Sequence, residues 1–135
     1  FLLDVGKTVE LNCDTAFSYS DEGQLVGHIN LGAMWVEQKA AAVAAETGQP
    51  FPEKVKWALQ HIVLSHHGQY EYGSPKIPAT PEAVAIHHID NLDAKLNTYI
   101  GLIRNDRDPG SPWTNYNHLL GTKIYKEDVL GIRPR

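Results

Sequence analysis

The amino-acid sequence predicts an all-α fold in which a few long, irregular loops join the helices. Three observations support this prediction. Apolar residues recur at the three- and four-residue spacing of amphipathic helices in several segments. Proline, threonine and glycine stand where such helices would begin and end. No run of alternating apolar and polar residues is long enough to require a central sheet.

The first part of the chain predicts a loop followed by a helix. Residues 12–25 are rich in turn-forming residues, and we expect a surface loop there. A helix is predicted from about Val26 to Glu46, because its second half is rich in alanine, the strongest helix former. Gly48 follows as a stop signal, since glycine readily adopts the left-handed conformation that ends helices.

A second helix should begin at Pro52, a residue that suits the first turn. Its apolar residues fall on one face at helical spacing; they are Val55, Leu59, Ile62 and Val63. His66 continues this face, and His67 lies about 100° around the helix from it. A buried imidazole on that face needs a polar partner, and a metal ion or a hydrogen-bonded carboxylate would each supply one.

A third helix should follow an irregular segment. Residues 68–80 contain Gly73, Pro75 and Pro78 and cannot be regular. Thr80 then caps a helix with Pro81 at its first position, and we expect it to run to about Arg104. The residues predicted on its core face are Ile89, Leu92, Leu96, Tyr99 and Ile103. The tail, with Ile124 and Tyr125, is expected to form a short helix or an extended arm that packs back.

Size and composition indicate one ordinary globular domain covering residues 1–135. The single cysteine, Cys13, excludes an intramolecular disulfide and a thiolate metal cluster. No segment is apolar enough to span a bilayer and no signal peptide is visible, so we expect a cytoplasmic protein without a membrane partner. The formal net charge of −4 argues against a chain that grips nucleic acid by itself.

Five metal-ligating side chains occur in a suggestive order: Asp4, His28, His66, His67 and Asp90. Neutral imidazole and ionised carboxylate both donate electron pairs to divalent transition metals. Taken singly, each has an ordinary interpretation: a solvated or salt-bridged aspartate, a histidine at a helix end. Taken together on separate helices, they predict a metal centre. His87 shares a face with Asp90; a surface position is its ordinary interpretation, and a partner of the ligands is the alternative.

Several phrases around these residues resemble the HD superfamily of metal-dependent phosphohydrolases, in the branch of YhaM-type 3'-5' exoribonucleases. The resemblance covers roughly residues 1–100. The phrases that carry it are Asp-Val-Gly-Lys-Thr-Val-Glu-Leu from Asp4, Gly-His-Ile from Gly27, Ile-Val-Leu-Ser-His-His-Gly from Ile62, Glu-Tyr-Gly-Ser-Pro-Lys from Glu71 and His-Ile-Asp-Asn-Leu-Asp-Ala-Lys from His88.

The resemblance implies an HD-type helical bundle that hydrolyses phosphodiester bonds with a divalent metal. Manganese is the expected ion, with iron, nickel, cobalt, zinc and magnesium as alternatives. The implied metal ligands are Asp4, His28, His66, His67 and Asp90. Asp4 and Lys7 are the implied catalytic residues, with Lys7 contacting a phosphate oxygen. The substrate would be an RNA or single-stranded DNA end, or a nucleotide.

Two departures from the family pattern affect this prediction. The family has a histidine ligand directly before the first aspartate, and Leu3 occupies that position here. A further histidine ligand and a nucleic-acid-binding domain would lie before Phe1, so we expect that upstream residues are missing. A dinuclear site is therefore incomplete, and one metal held by the histidines and Asp90 is favoured. The alternative is a catalytically degenerate HD module that serves binding or assembly, including self-association.

Overall fold

The computed structural model describes residues 2–12 and 18–131, and these residues are mainly helical, which confirms the predicted all-α class. Within these ranges there are two 3-10 helices, Leu2–Asp4 and Tyr70–Tyr72. Strands β1 (Leu11–Asn12) and β2 (Ser18–Tyr19) pair antiparallel, with Leu11 opposite Tyr19. The α-helices of the described residues are α1 (Lys7–Glu10), α2 (Asp21–Leu25), α3 (His28–Thr47), α4 (Glu53–Ser65) and α5 (Pro81–Asn105).

The loop predicted over residues 12–25 was wrong in its second half, which contains β2 and α2. Ser20 explains the start of α2, because its Oγ accepts a hydrogen bond from Gly23 N at 2.9 Å and donates one to Val9 O at 2.7 Å. A five-residue helix is too short to show apolar periodicity. The expected loop at residues 13–17, including Cys13, lies outside the described residues.

Helix α3 begins two residues later than predicted, because Gly27 before it has φ +77° and cannot be helical. It ends as expected at Gly48, which takes the left-handed conformation at φ +66°. Helix α3 packs against α4 and against the 3-10 helix at the start of the chain. The buried apolar side chains of α3 and α4 are Ile29, Leu31, Ala33, Ala40 and Val63.

Helix α4 begins directly after Pro52 and ends at Ser65, so His66 is the residue that caps its C-terminus. The predicted apolar face is buried only near that end, where Val63 is 7% exposed. The following segment is irregular as predicted, apart from the short helix Tyr70–Tyr72. Thr80 caps α5 as predicted, since its Oγ1 accepts a hydrogen bond from Ala83 N at 3.2 Å.

The predicted core face of α5 was wrong. Ile89, Leu92 and Leu96 are 63%, 59% and 51% exposed. Tyr99 is also exposed and Ile103 is half-buried. The buried residue of this helix is instead Ala83, in its first turn, with no exposed surface. Close packing of α5 therefore uses a methyl group near its start rather than a stripe of long aliphatic side chains.

The chain divides into two compact units, and the boundary lies within α5 between Asp90 and Asn91. In the second unit the tail forms an extended arm rather than a helix, with antiparallel bridges between Trp113 and Tyr125 and between Asn117 and Thr122. The prediction of one HD-type domain over residues 1–135 stays a prediction. Among the described helices, none combines the length and the apolar character needed to cross a membrane.

Candidate metal centre

Three histidines converge where α3 begins and α4 ends. His28 is the first residue of α3, and His66 and His67 follow the last residue of α4. In the described chain they form a group in which one ring nitrogen of each lies within 4.8 Å of the others. His28 and His66 are buried and His67 is half-buried. The packing of α3 on α4 brings them together across 38 positions of sequence.

The His28 ring is oriented by Glu10, a buried carboxylate at the end of α1. The Nδ1 of His28 lies 2.9 Å from Glu10 Oε2 and 3.0 Å from Oε1, and His28 N donates to Oε1 at 3.0 Å. A carboxylate that receives these bonds fixes the proton of the imidazole on Nδ1. The lone pair of His28 therefore lies on Nε2, as a metal ligand requires.

His66 and His67 are oriented by backbone carbonyls in the same way. His66 Nδ1 donates to Val63 O at 2.7 Å, and His67 Nδ1 donates to Tyr72 O at 2.8 Å. A carbonyl can only accept, so both neutral rings carry their proton on Nδ1. All three histidines thus leave Nε2 without a proton when they are neutral. Burial lowers the pKa of His67, which favours that neutral form.

Asp4 completes the cluster. Its Oδ1 lies 3.4 Å from His28 Nε2 and 3.5 Å from His66 Nε2. These three atoms are buried and have no hydrogen-bond partner. Leaving a buried polar atom unpaired costs about 1–3 kcal/mol, so three such atoms facing one another indicate a ligand. A divalent cation accepts electron pairs from all of them at once, and the donor set of imidazoles and a carboxylate fits such an ion.

The carboxylate of Asp4 is ionised at neutral pH. When the His66 ring carries a proton on Nε2, that group contributes most to holding the pKa of Asp4 well below its usual value, and Lys7 adds to this effect against the opposing influence of burial. Lys7 Nζ donates to the second oxygen, Oδ2, at 2.8 Å. Because Lys7 bonds to Oδ2, the other oxygen, Oδ1, is left for a metal. The ammonium group of Lys7, whose side chain is 43% exposed, lies at the edge of the cluster.

Two glycines permit the close approaches that form the site. A Cβ atom on Gly6 would lie 2.2 Å from the carbonyl oxygen of His28, so only glycine lets the chain after Asp4 reach the start of α3. Gly68 has φ +84°, and its Cβ would lie 2.2 Å from Cε1 of His87. His87 in turn donates through Nδ1 to His66 O at 2.7 Å. His87 therefore supports the backbone of the double histidine.

Two other residues that the sequence singled out, Asp90 and Leu3, make no side-chain hydrogen bond or ion pair with the cluster among the described residues. Asp90 is half-buried on α5, and the described residues show no side-chain hydrogen bond or ion pair for it. The group of close ring nitrogens includes the three histidines and not Asp90. Leu3 is half-buried and lines an apolar groove of about 910 Å³ together with residues of α3 and α4. Val63 and Trp35 line the same groove.

A cavity of about 260 Å³ opens beside the cluster. His28 and His67 line it, together with Asn30 and Tyr72. Neither Tyr72 nor Glu10 was predicted as a site residue. Tyr72 acts through its backbone carbonyl, for which a sequence gives no signal. Glu10 resembled any charged residue near a turn, although its position within the phrase after Asp4 offered a clue.

No family model matches the chain, and no solved structure matches it. The chain does match several exoribonucleases in sequence. The chain is 46% identical over 96 residues to the 3'-5' exoribonuclease YhaM of Bacillus pumilus (strain SAFR-032), and 47% identical over 96 residues to those of Bacillus subtilis (strain 168) and Bacillus licheniformis. Each match covers 71% of this chain and 29% of the relative. The chain therefore matches less than a third of the length of each of these YhaM exoribonucleases.

Proposed function

We propose that this chain is an HD-type, metal-dependent phosphohydrolase module that cleaves phosphodiester bonds from the 3' end of RNA. The observation that carries the proposal is the set of three buried, unpartnered atoms contributed by Asp4, His28 and His66. Similarity to YhaM exoribonucleases supports the choice of reaction and substrate.

The proposed ligands are Asp4 through Oδ1 and His28, His66 and His67 through Nε2. Glu10 and the carbonyls of Val63 and Tyr72 hold the rings in place. Such partners are typical of histidines that ligate metals, because they fix the tautomer and the ring plane. Asp90 stays a predicted further ligand, which metal titration of Asp90→Asn would test.

We propose that the site binds one ion rather than two, because Leu3 supplies no donor at the position where the family has a histidine. Manganese is the preferred ion. Imidazole and carboxylate donors also suit iron, nickel, cobalt and zinc, with magnesium a poorer match to a site rich in histidine. A divalent ion at such a site supplies Lewis acidity, which acidifies water and polarises a phosphoryl oxygen. The remaining requirements of the reaction fall to the side chains.

Two side chains have direct roles in this proposal. Asp4 stays ionised and offers Oδ1 to the ion, while Lys7 Nζ on Oδ2 presents a positive charge at the edge of the cluster. An ammonium group at that position would bind a phosphate oxygen and offset the negative charge that develops there. Lys7 therefore contacts Asp4 through Oδ2 alone and serves to hold the scissile phosphate.

The net charge of −4 on this chain indicates that RNA affinity comes from elsewhere. In the proposal, the remaining part of a YhaM-like protein supplies the nucleic-acid contacts, and this module supplies the hydrolytic centre. A nucleotide phosphodiester is then the smallest substrate that the module alone should accept.

The test uses bis(p-nitrophenyl) phosphate and a short RNA with a 5' label. With manganese present, the wild-type chain should release p-nitrophenol and shorten the RNA from its 3' end. His66→Ala should abolish both activities, whereas His118→Ala, which changes an exposed histidine of the tail, should preserve them. If the wild-type chain hydrolyses neither substrate with any of the divalent metals, the proposal that it is an enzyme is rejected.

The second candidate function is a degenerate HD module that binds metal and assembles with other chains without catalysis. Leu3 favours it, because a dinuclear centre of the family type lacks one donor here. Metal binding by a chain that hydrolyses neither substrate would establish this alternative. Restoring the family residue with Leu3→His and finding that activity then appears would strengthen it.

A further inference from the structure

The cavity beside the histidine cluster has the features of a binding site for a nucleoside. Its residues belong to the end of α1, to the turn before α3 and the first residues of α3, and to the segment from His67 to Pro75. His28 and His67 line this cavity and also belong to the cluster. A ligand whose phosphate lies at the cluster would therefore extend into the cavity.

We propose that this cavity binds the terminal nucleoside of the substrate and that the Tyr72 ring stacks on its base. The inference rests on the proposed function and adds the part of the substrate that the site recognises. A volume of about 260 Å³ is just below the range of about 300–1,000 Å³ for pockets that enclose a whole drug-sized ligand. One nucleoside fits this size, and an oligonucleotide does not.

The walls of the cavity suit a flat ring. Gly27, Gly73 and Pro75 contribute only backbone and a compact ring to its lining. Tyr72 is 64% exposed, which leaves the faces of its ring accessible. Stacking between a base and an aromatic ring tolerates every base, because each base has a π-face. An exonuclease that removes successive nucleotides needs this tolerance.

Tyr72 also couples the cavity to the cluster. Its carbonyl oxygen accepts the hydrogen bond from His67 Nδ1 at 2.8 Å, so the residue that would stack on the base also orients one of the proposed ligands. The short helix holds this arrangement, with Tyr72 N donating to Gln69 O at 3.1 Å and Gly73 N donating to Tyr70 O at 2.9 Å. The backbone of Tyr72 is thereby held beside His67.

Asn30 supplies a polar group at the same cavity. Its Nδ2 donates to Val26 O at 2.7 Å, which fixes the side chain one turn into α3. The amide oxygen of a side chain held in this way is directed by that bond and can accept from a hydroxyl or amino group. Asn30 is exposed, so the contact would favour a nucleoside without excluding others.

The experiment measures binding of AMP and of ribose 5-phosphate to the full chain with manganese by isothermal titration calorimetry. Ribose 5-phosphate carries the same phosphate and no base. Wild-type protein should bind AMP about fivefold more tightly or better, the lower limit for stacking of one base. Tyr72→Ala should remove this preference and Tyr72→Phe should keep it. Tyr70→Ala is the matched control, since Tyr70 is 60% exposed on the same short helix and does not line the cavity.

The inference is overturned if AMP has no advantage over ribose 5-phosphate, if Tyr72→Ala keeps the advantage, or if Tyr70→Ala loses it equally. All of these variants retain the carbonyl that orients His67, and equal metal content would confirm that the cluster is intact. Failure of the proposed function would look different: the wild-type chain would hydrolyse no phosphodiester, while a preference for AMP that depends on Tyr72 would persist.

Discussion

Glu10 and His28 form the most fully connected pair of the candidate centre, since one buried carboxylate receives both the Nδ1 proton and the backbone N–H of the same histidine. Burial alone would raise the pKa of Glu10, but the hydrogen bonds from His28 outweigh it and the pKa lies below its usual value. An ionised Glu10 therefore holds the His28 lone pair on Nε2.

Replacing Glu10 with alanine should weaken metal binding about 10- to 100-fold, the usual effect of losing the partner of a ligating histidine. It should also cost about 1–3 kcal/mol of unfolding free energy, because two donors of His28 lose their acceptor. Manganese titration and urea unfolding measure the two effects. Glu46→Ala, an exposed glutamate on α3, should change neither. Undiminished metal affinity in Glu10→Ala would show that the pair has no role in the centre.

Replacing Gly6 with alanine should disrupt the site through sterics alone. Gly6 has φ −59°, which alanine adopts easily, but the added Cβ would lie 2.2 Å from the carbonyl oxygen of His28. The resulting backbone shift should cost about 1–3 kcal/mol of stability and move Asp4 away from His28.

The control for this substitution is Gly101→Ala on α5, where the added Cβ meets nothing within 4 Å. That change should be neutral or stabilise the chain by about 0.5–1 kcal/mol, the difference between glycine and alanine in a helix. Thermal unfolding and metal content of both variants check the prediction. Equal behaviour of the two alanine variants would contradict it.

Removal of the Lys7 ammonium group should separate catalysis from metal binding. Lys7→Met keeps the length of the side chain and loses its charge, so phosphodiester hydrolysis should fall about 100-fold or more, as when one charge-stabilising donor is lost. Metal content should stay at the wild-type value, because Oδ1 of Asp4 does not contact Lys7. Lys54→Met, on α4, is the control for net charge. A parallel loss of metal and activity would mean that Lys7 only supports Asp4.

The second unit should show a pH dependence of its own. Lys126 Nζ donates to Asp106 Oδ1 at 2.7 Å and also to Asp108 O, and the bond from Lys126 lowers the pKa of Asp106. The carboxyl group of Asp106 thus binds its proton less tightly in the folded chain than in the unfolded chain. The stabilisation is present above the unfolded pKa of about 3.9 and is lost as the pH falls through the lower, folded pKa.

Asp106→Asn should therefore lower the melting temperature at pH 7, and the difference from wild type should shrink as the pH falls below the unfolded pKa of about 3.9 and disappear only below the lower, folded pKa. Circular dichroism melts across pH 2–7 measure it. Asp93→Asn provides a control on α5, because Asp93 is exposed and its Oδ2 accepts from Asn97. A melting difference for Asp106→Asn that stays constant with pH would contradict the role of the ion pair.

The features that could be predicted from the sequence are those encoded by a few neighbouring residues. The Thr80-Pro81 start, the Gly48 stop and the adjacent histidines after an apolar helix are each contained in a few residues, and the structure has each where it was predicted. The ligand set that includes Asp90 stays a prediction, although Asp4 and the three histidines do lie together.

Features that depend on distant partners were missed. Glu10 is 18 residues from His28, and only the packed chain reveals that its carboxylate faces the His28 ring. The stripe on α5 satisfies helical periodicity at Leu92 and Leu96, yet both residues are exposed. Periodicity identifies a helix and its apolar side, but it does not state whether another element of the chain covers that side.

The most direct test of the metal centre is the number of metal ions per chain, measured by inductively coupled plasma mass spectrometry after manganese loading and desalting. Wild-type protein and the control His118→Ala should each retain about one ion, and His66→Ala should retain almost none. Wild-type protein that retains no ion, or His66→Ala that retains as much as wild type, would contradict a cation bound by Asp4, His28, His66 and His67.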